Sequence, residues 1–523
     1  MFPGAHATQS PHRAAVIMAG SGLRLTYGQL EESSRRLAHR LRDKGFRRGD
    51  VIALLSGNDP RVFEVYWAAQ RSGLYITAIN KLLGADELHH ILADSGAQAL
   101  FVGPGVGEVA AHTADYADIR YAVAMDAAPD GSGEWHDYAA ELAEGSTEPL
   151  LDQPRGGDML YSSGTTGRPK GIRPPLPERQ VDQAGDAMVD LFGKRITLGP
   201  DTVFLSPAPL YHAAPLRLCA TVQALGGTVV IMERFDAEQA LATIERYQIS
   251  HAQWVPTMFV RLLKLSTEVR DRYDLSSMRV AVHSAAPCPV EVKHQMMDWW
   301  GSILHEYYSS TEVAGMTWIG PQEWTAHPGS VGRSILGVLH VCEDDGHELP
   351  TGRVGTVYFE RETRPFEYHN DPEKTRATQH PHHPLWTTVG DIGFLDDDGY
   401  LHLTDRKAFM IISGGVNIYP QEIEDTLALH PAVSDVAVIG VPDEEMGEQV
   451  KAVVQTAPGQ EPNDELAAVL LAHVRTRLAG YKVPRTIDFV DELPRTPTGK
   501  LVKGPLRDLY RRPGPAISAG DDA

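Results

Sequence analysis

Tyr161-Ser162-Ser163-Gly164-Thr165-Thr166-Gly167-Arg168-Pro169-Lys170-Gly171 sets four aliphatic hydroxyls, three glycines and two cations within eleven residues. Glycine permits positive φ and close backbone approach, so successive N–H groups can converge on an anion while Ser, Thr and Lys side chains complete its shell. Such a loop suits a polyphosphate. It is not a Gly-x-x-x-x-Gly-Lys-Ser/Thr loop, because Lys170 follows Gly167 by three and precedes Gly171.

Outward from the loop, apolar periodicity alternates between helix and strand. The segment 28–45 carries Leu30, Leu37 and Leu41 on one helical face and stops at Gly45; Val51 to Leu55 then reads as a buried strand. Arg61 to Ser72 is helical again. Thr228 to Met232 predicts a strand, and Asp236 with Gln239 forms an N-cap pair for a helix reaching Tyr247. This alternation predicts α/β layers. Gly355 to Glu360 and Tyr400 to Thr404 read as short strands, the second entered through Asp397-Asp398-Gly399. Beyond Asp405-Arg406-Lys407, Pro420 opens a helix bearing Ile423 and Leu427. Val436 to Val441, Lys451 to Gln455 and Thr486 to Val490 read as strands, and 463–478 as a helix. That is an α+β unit of about a hundred residues.

The 523 residues suffice for several domains, and 42% hydrophobic with 22% charged residues is an ordinary globular composition. A net charge of −21 disfavours nucleic acid and anionic membrane surfaces as partners, so positive charge for a phosphate ligand must be concentrated locally. Cys219, Cys288 and Cys342 lack CxxC spacing and give neither a disulfide framework nor a zinc site. With no basic-then-apolar leader and no long uncharged run, a cytoplasmic location is expected. His380, His382 and His383 read as a solvated, Pro-broken loop rather than a metal site.

Further segments follow in order: Pro209-Leu210-Tyr211-His212-Ala213-Ala214-Pro215, Ser284-Ala285-Ala286-Pro287, Glu306-Tyr307-Tyr308-Ser309-Ser310-Thr311-Glu312, Val389-Gly390-Asp391, Asp405-Arg406-Lys407, Gly414-Gly415-Val416-Asn417-Ile418-Tyr419-Pro420 and Arg495-Thr496-Pro497-Thr498-Gly499-Lys500. With the opening loop they resemble the signatures of the adenylate-forming superfamily of acyl-CoA synthetases, luciferases and nonribosomal-peptide adenylation domains. The chain looks most like an acyl-CoA synthetase or fatty-acid-CoA ligase.

The resemblance implies an α/β fold: a large multi-layer N-terminal domain of two α/β subdomains plus a β-rich subdomain over 1–404, a hinge at 405–409, and a small mobile α+β lid over 410–523. It implies that Ser162, Ser163, Gly164, Thr165, Thr166, Gly167 and Lys170 grip the β- and γ-phosphates of ATP. Tyr308 stacks on adenine along Ala286, Thr311 bonds the α-phosphate, and Glu312 with Thr166 holds Mg²⁺. Asp391 and Arg406 hold the ribose, Lys500 bridges the substrate carboxylate and the α-phosphate, and Gly414 and Gly415 make room for the pantetheine of coenzyme A.

His212 centres the acyl-site motif, with Trp254, Tyr307, Ser309 and Met316 as further wall. Amino-acid-activating relatives carry an Asp in this neighbourhood, and no acidic residue lies between Ser206 and Gly227. A fatty, aryl or polycyclic carboxylic acid is therefore expected, activated as its adenylate and passed to CoA. The chain departs from the family pattern at Ser309 and Pro215, which replace glycines, at Val389, which replaces Thr, and at Phe409, which stands where the hinge usually has Asp or Lys. Loading of a separate carrier protein, a noncatalytic nucleotide binder, luciferase-type oxygenation and a homodimer all stay open.

Overall fold

The computed structural model describes residues 2–106, 109, 118–129, 134–162, 169–406, 409–414, 416–443, 445–495 and 501–511, with backbone alone at 406 and 511. Two large sheets dominate the N-terminal part. One has nine strands: Val280–His283, His251–Trp254, Val203–Ser206, Thr228–Ile231 and Ala14–Met18 run parallel with Leu304–Ser309, and antiparallel strands close both edges. The other is a six-stranded parallel sheet centred on Val51–Leu55, whose side chains are all buried. Strands buried on both faces need continuous apolar runs, which is what these sequences supply.

Helices Tyr27–Asp43, Arg61–Gln70, Ala187–Arg195 and Ala213–Ala224 fill the layer between the two sheets and share one core with both. Tyr27–Asp43 starts where Thr26 and Gln29 exchange side-chain to backbone bonds, and buries Tyr27, Leu30, Leu37 and Leu41. A second core lies on the opposite face of the nine-stranded sheet. Phe204, Val229 and Val282 face the inner layer, whereas Leu205, Val230 and Ala281 face the second core, as the two-residue strand period requires.

A β-rich part follows: Val338–Cys342, Gly355–Glu360, Asp391–Leu395 and Leu401–Arg406 form an antiparallel sheet. A three-stranded sheet of Leu160–Ser162, Lys170–Arg173 and Glu367–Tyr368 joins it to the layers. The small C-terminal domain is a separate sheet built around Val433–Asp443 and Gly447–Thr456, with Thr486–Val490 added in parallel and helices Pro420–Ala428 and Asp464–Arg475 on it. No helix among the described residues is long and apolar enough to cross a membrane.

In the histidine loop His382 and His383 are exposed, as expected, and His380 departs. His380 is 3% exposed rather than solvated, because its Nε2 bonds the carbonyl of Gly346 at 2.8 Å and its ring packs on Tyr358 and Trp386. Among the described residues no cluster of His, Cys, Asp and Glu has the geometry to hold a metal ion.

Candidate active site

The site grows from the end of strand Leu304–Ser309. Tyr308 points toward the β-rich sheet and gives its phenolic proton to Oδ2 of Asp391 at 2.5 Å. Asp391 follows Gly390, whose φ of +86° fits a glycine and whose N–H is held by Oγ1 of Thr388. Asp391 is 6% exposed and lies opposite Arg406 in the strand pairing.

Beyond the strand the chain turns sharply. Val313 has a φ of +52°, strained for a β-branched residue. The turn is held from several sides: Ser309 Oγ donates to the carbonyl of Gly315 at 2.8 Å, and Arg361 donates to the carbonyls of Val313 and Ala314. Gly315 admits no side chain, because a Cβ there would lie 1.9 Å from the Phe359 ring. The Ser309 hydroxyl is thus engaged in closing the turn. Thr311 offers its carbonyl to Nη1 of Arg217 at 3.3 Å, and Glu312 accepts the Tyr368 hydroxyl at 2.8 Å. Among the described residues no cation pairs with Glu312.

Tyr368 belongs to the three-stranded sheet that presents the opening loop. Ser162 ends one strand and Lys170 begins the next, directly paired with it. Ser163, Gly164, Thr165, Thr166 and Gly167 lie outside the described residues, as do Gly415 and Lys500. Lys170 Nζ stands 3.3 Å from Asp371 Oδ2, and Asp371 also caps the helix Pro372–Ala377 through the N–H of Lys374. Glu312 is thereby set against the sheet that carries the glycine-rich loop.

On the other side of the strand, Ser284 is buried and Ala285 adopts a φ of +77°, again unusual for a residue with a side chain; Ala286 follows, half-buried. Gln253, which the motifs did not single out, donates to the Tyr307 hydroxyl at 3.0 Å and so braces this turn's neighbourhood. Beneath it, Lys293 and Glu306 form a buried ion pair at 2.6 Å.

His212 is the N-cap residue of helix Ala213–Ala224 and packs against Tyr211. Its Nε2 is sealed from solvent with no partner among the described residues, and burial pushes its pKa down to about 4. Tyr307 and Met316 are buried in the inner layer, with Phe192 edge-on to Tyr307. Trp254 is a correction. Strand parity turns it to the opposite face of the sheet, where it is 1% exposed and packs on Phe259 and Trp300; Gln253 takes the inward position instead.

In the C-terminal domain, Gly414 has a φ of +57° and its N–H bonds the carbonyl of Met446. That φ favours glycine, and a Cβ there would also lie 2.4 Å from Met446 Cε, so the flexible end of the Met446 side chain would have to shift. Arg495 and Leu501 are bridged, which brings together the two ends of the segment bearing Lys500, and Arg495 is clamped by Asp435 at 2.6 Å.

Residues 4–363 match the AMP-binding enzyme family and residues 422–500 the AMP-binding enzyme C-terminal domain. A feruloyl-CoA synthase of an Amycolatopsis species is 36% identical over 516 residues, covering 97% of this chain and 98% of that protein. The long-chain-fatty-acid–CoA ligase FadD13 of Mycobacterium tuberculosis is 32% identical, covering 96% and 97%. Among solved structures, ATP-bound MatB from Rhodopseudomonas palustris superposes with a TM-score of 0.81 at 27% identity, covering 98% and 99%.

Proposed function

The chain belongs to the AMP-binding enzyme family, and we propose that it is an acyl-CoA synthetase acting on a carboxylic acid that is not an amino acid. The acid's oxygen attacks the α-phosphorus of ATP, the bond to the β-phosphate breaks and pyrophosphate leaves. The sulfur of CoA then attacks the acyl carbon, loses its proton, and AMP departs. Relatives named as CoA ligases for feruloyl and long-chain acyl groups support the reaction class while differing in the acid.

The observation that carries the reading is the convergence on Thr311. Tyr308 joins it to Asp391 on one side, and Glu312 joins it to the sheet bearing Ser162 and Lys170 on the other. In this reading Tyr308 and Ala286 flank the adenine, Asp391 and Arg406 take the ribose, and the 162–170 loop takes the terminal phosphates. Lys500, Gly414 and Gly415 come from the C-terminal domain, with the hinge at 405–409 between 1–404 and 410–523. His212 is uncharged at neutral pH, so it shapes the acid's site without drawing the carboxylate away from Lys500.

Glu312 suits Mg²⁺: it is a hard oxygen donor, half-buried, and among the described residues its one hydrogen-bond partner is the neutral Tyr368 hydroxyl. Glu312 and Thr166 would hold the ion, which when bound neutralises phosphate charge. Acid-dependent exchange of labelled pyrophosphate into ATP tests the first half-reaction. Exchange that needs a carboxylic acid is expected; its absence with fatty, aryl and polycyclic acids alike contradicts the proposal.

A further inference from the structure

Helix Pro256–Leu263 belongs to the N-terminal part and ends at Lys264, whose ammonium reaches across to the C-terminal domain. Lys264 Nζ donates to the carbonyl of Val433 at 2.6 Å and lies 3.4 Å from that of Ser434. Among the described residues it is the one side chain of the N-terminal part that hydrogen-bonds the C-terminal domain. Leu429, just after helix Pro420–Ala428, adds an apolar contact with the second core.

The acceptors are available because strand Val433–Asp443 is irregular at its start. Its register against Gly447–Thr456 shifts between Val433 and Asp435, a bulge that leaves Ser434 without a cross-strand partner. An ammonium has three donors and no acceptor, so two successive carbonyls suit it. The next residue, Asp435, attracts Lys264 electrostatically and is gripped by Arg495, Nη2 to Oδ1 at 2.6 Å and Nε to Oδ2. Arg495 opens the segment that ends at Lys500 and is bridged to Leu501 beyond it. Three consecutive residues, Val433 to Asp435, therefore link Lys264 to both ends of the Lys500 segment.

The hairpin of Ile411–Ser413 and Val416–Ile418, which the reading above gives to coenzyme A, stays open to solvent: Ile412 is 50% and Val416 46% exposed. The arrangement that Lys264 holds thus ties the Lys500 segment to the N-terminal part and leaves the coenzyme A hairpin unengaged.

Resting on the acyl-CoA synthetase reading, we propose that Lys264 is a positioning residue for adenylate formation: it holds the C-terminal domain with the Lys500 segment docked, and releases Val433 and Ser434 when the domain turns for transfer to CoA. It belongs to none of the nucleotide or acid motifs, so it acts on the rate of the first half-reaction rather than on substrate binding.

The test times the two half-reactions separately in the full chain, as wild type, Lys264→Met and Lys264→Arg. The first is acid-dependent exchange of labelled pyrophosphate into ATP. The second is acyl-CoA formation from CoA and the chemically prepared adenylate of the same acid, with no ATP. Lys264 is exposed, so neither substitution opens a core. In Lys264→Met the exchange kcat should fall about tenfold, the scale of a lost hydrogen bond from a charged donor, with KM for ATP and for the acid little changed. Transfer from the adenylate should be as fast as in the wild type or faster. Lys264→Arg keeps a cation and its N–H donors and should recover part of the exchange rate. A merely structural role would slow both half-reactions together. Equal slowing of both, or unaltered exchange in Lys264→Met, overturns the inference and leaves the synthetase reading intact. A wild type without acid-dependent exchange on fatty, aryl and polycyclic acids alike overturns both.

Discussion

Tyr308 donates to Asp391 across 2.5 Å, so the strand that leads into Thr311 and Glu312 is bonded to a strand of the β-rich sheet 83 residues further along the chain. Neither group could be placed alone: the carboxylate is buried, and the phenol satisfies one of its lone pairs. Hydrogen bonds to a buried charged group contribute about 1.5–3 kcal/mol. Tyr308→Phe is therefore expected to raise KM for ATP by roughly tenfold or more, and Asp391→Ala by a larger factor, with KM for the acid little affected. Initial rates of AMP formation at varied ATP measure this, and an unchanged KM for ATP in Asp391→Ala refutes the ribose role.

Lys170 is held toward Asp371 rather than left free. Asp371→Asn keeps an N-cap side chain for the helix Pro372–Ala377 but removes the charge that competes for Lys170. Exposed pairs of this kind are weak, so KM for ATP should fall only about twofold, whereas Lys170→Met should raise it. A rise in Asp371→Asn would mean that Asp371 positions Lys170 productively.

Burial holds His212 and His305 down to about 4, against about 6.5 in the unfolded chain. Below pH 6.5 the unfolded chain takes up protons that the folded chain refuses until about pH 4, so stability falls as pH drops through that window and is unaffected above it. The thermal midpoint at constant ionic strength should decline from pH 7 to pH 5, and less steeply in His212→Gln. A flat wild-type midpoint over that range contradicts the burial of these rings as neutral groups.

Lys293 and Glu306 pair at 2.6 Å with both side chains buried. Lys293→Met strands a carboxylate in the core and should destabilise by about 3–5 kcal/mol, whereas Lys293→Met with Glu306→Leu should recover most of the loss. Denaturant unfolding of the two variants decides this. A double variant as unstable as the single one would show that the pair itself is indispensable.

The layered fold was legible where periodicity is unambiguous. Val51–Leu55 is a strand with every side chain buried, and the helix expected over 28–45 runs Tyr27–Asp43. Thr486–Val490 stands as expected, but the strand expected over Val436 to Val441 extends to Val433–Asp443, because its pairing with Gly447–Thr456 continues into polar residues that carry no apolar signal. Trp254 was misplaced because a strand buried on both faces gives no hint of which face an aromatic takes. The polar Gln253 beside it was the usable clue, since its amide needs the partner that Tyr307 provides. The pairing of Lys293 with Glu306, and the reach of Lys264 to the carbonyl of Val433, join separate elements through packing that no local pattern encodes.

The most direct test of the account is a single assay: MgATP, a carboxylic acid and CoA, with acyl-CoA, AMP and pyrophosphate measured together in the wild type and in Lys500→Ala. The account predicts all three products in equal amounts from the wild type, no acyl-CoA when CoA is omitted, and near-complete loss of pyrophosphate release in Lys500→Ala. Pyrophosphate and acyl-adenylate formed without any transfer to CoA, or turnover undiminished in Lys500→Ala, would contradict it.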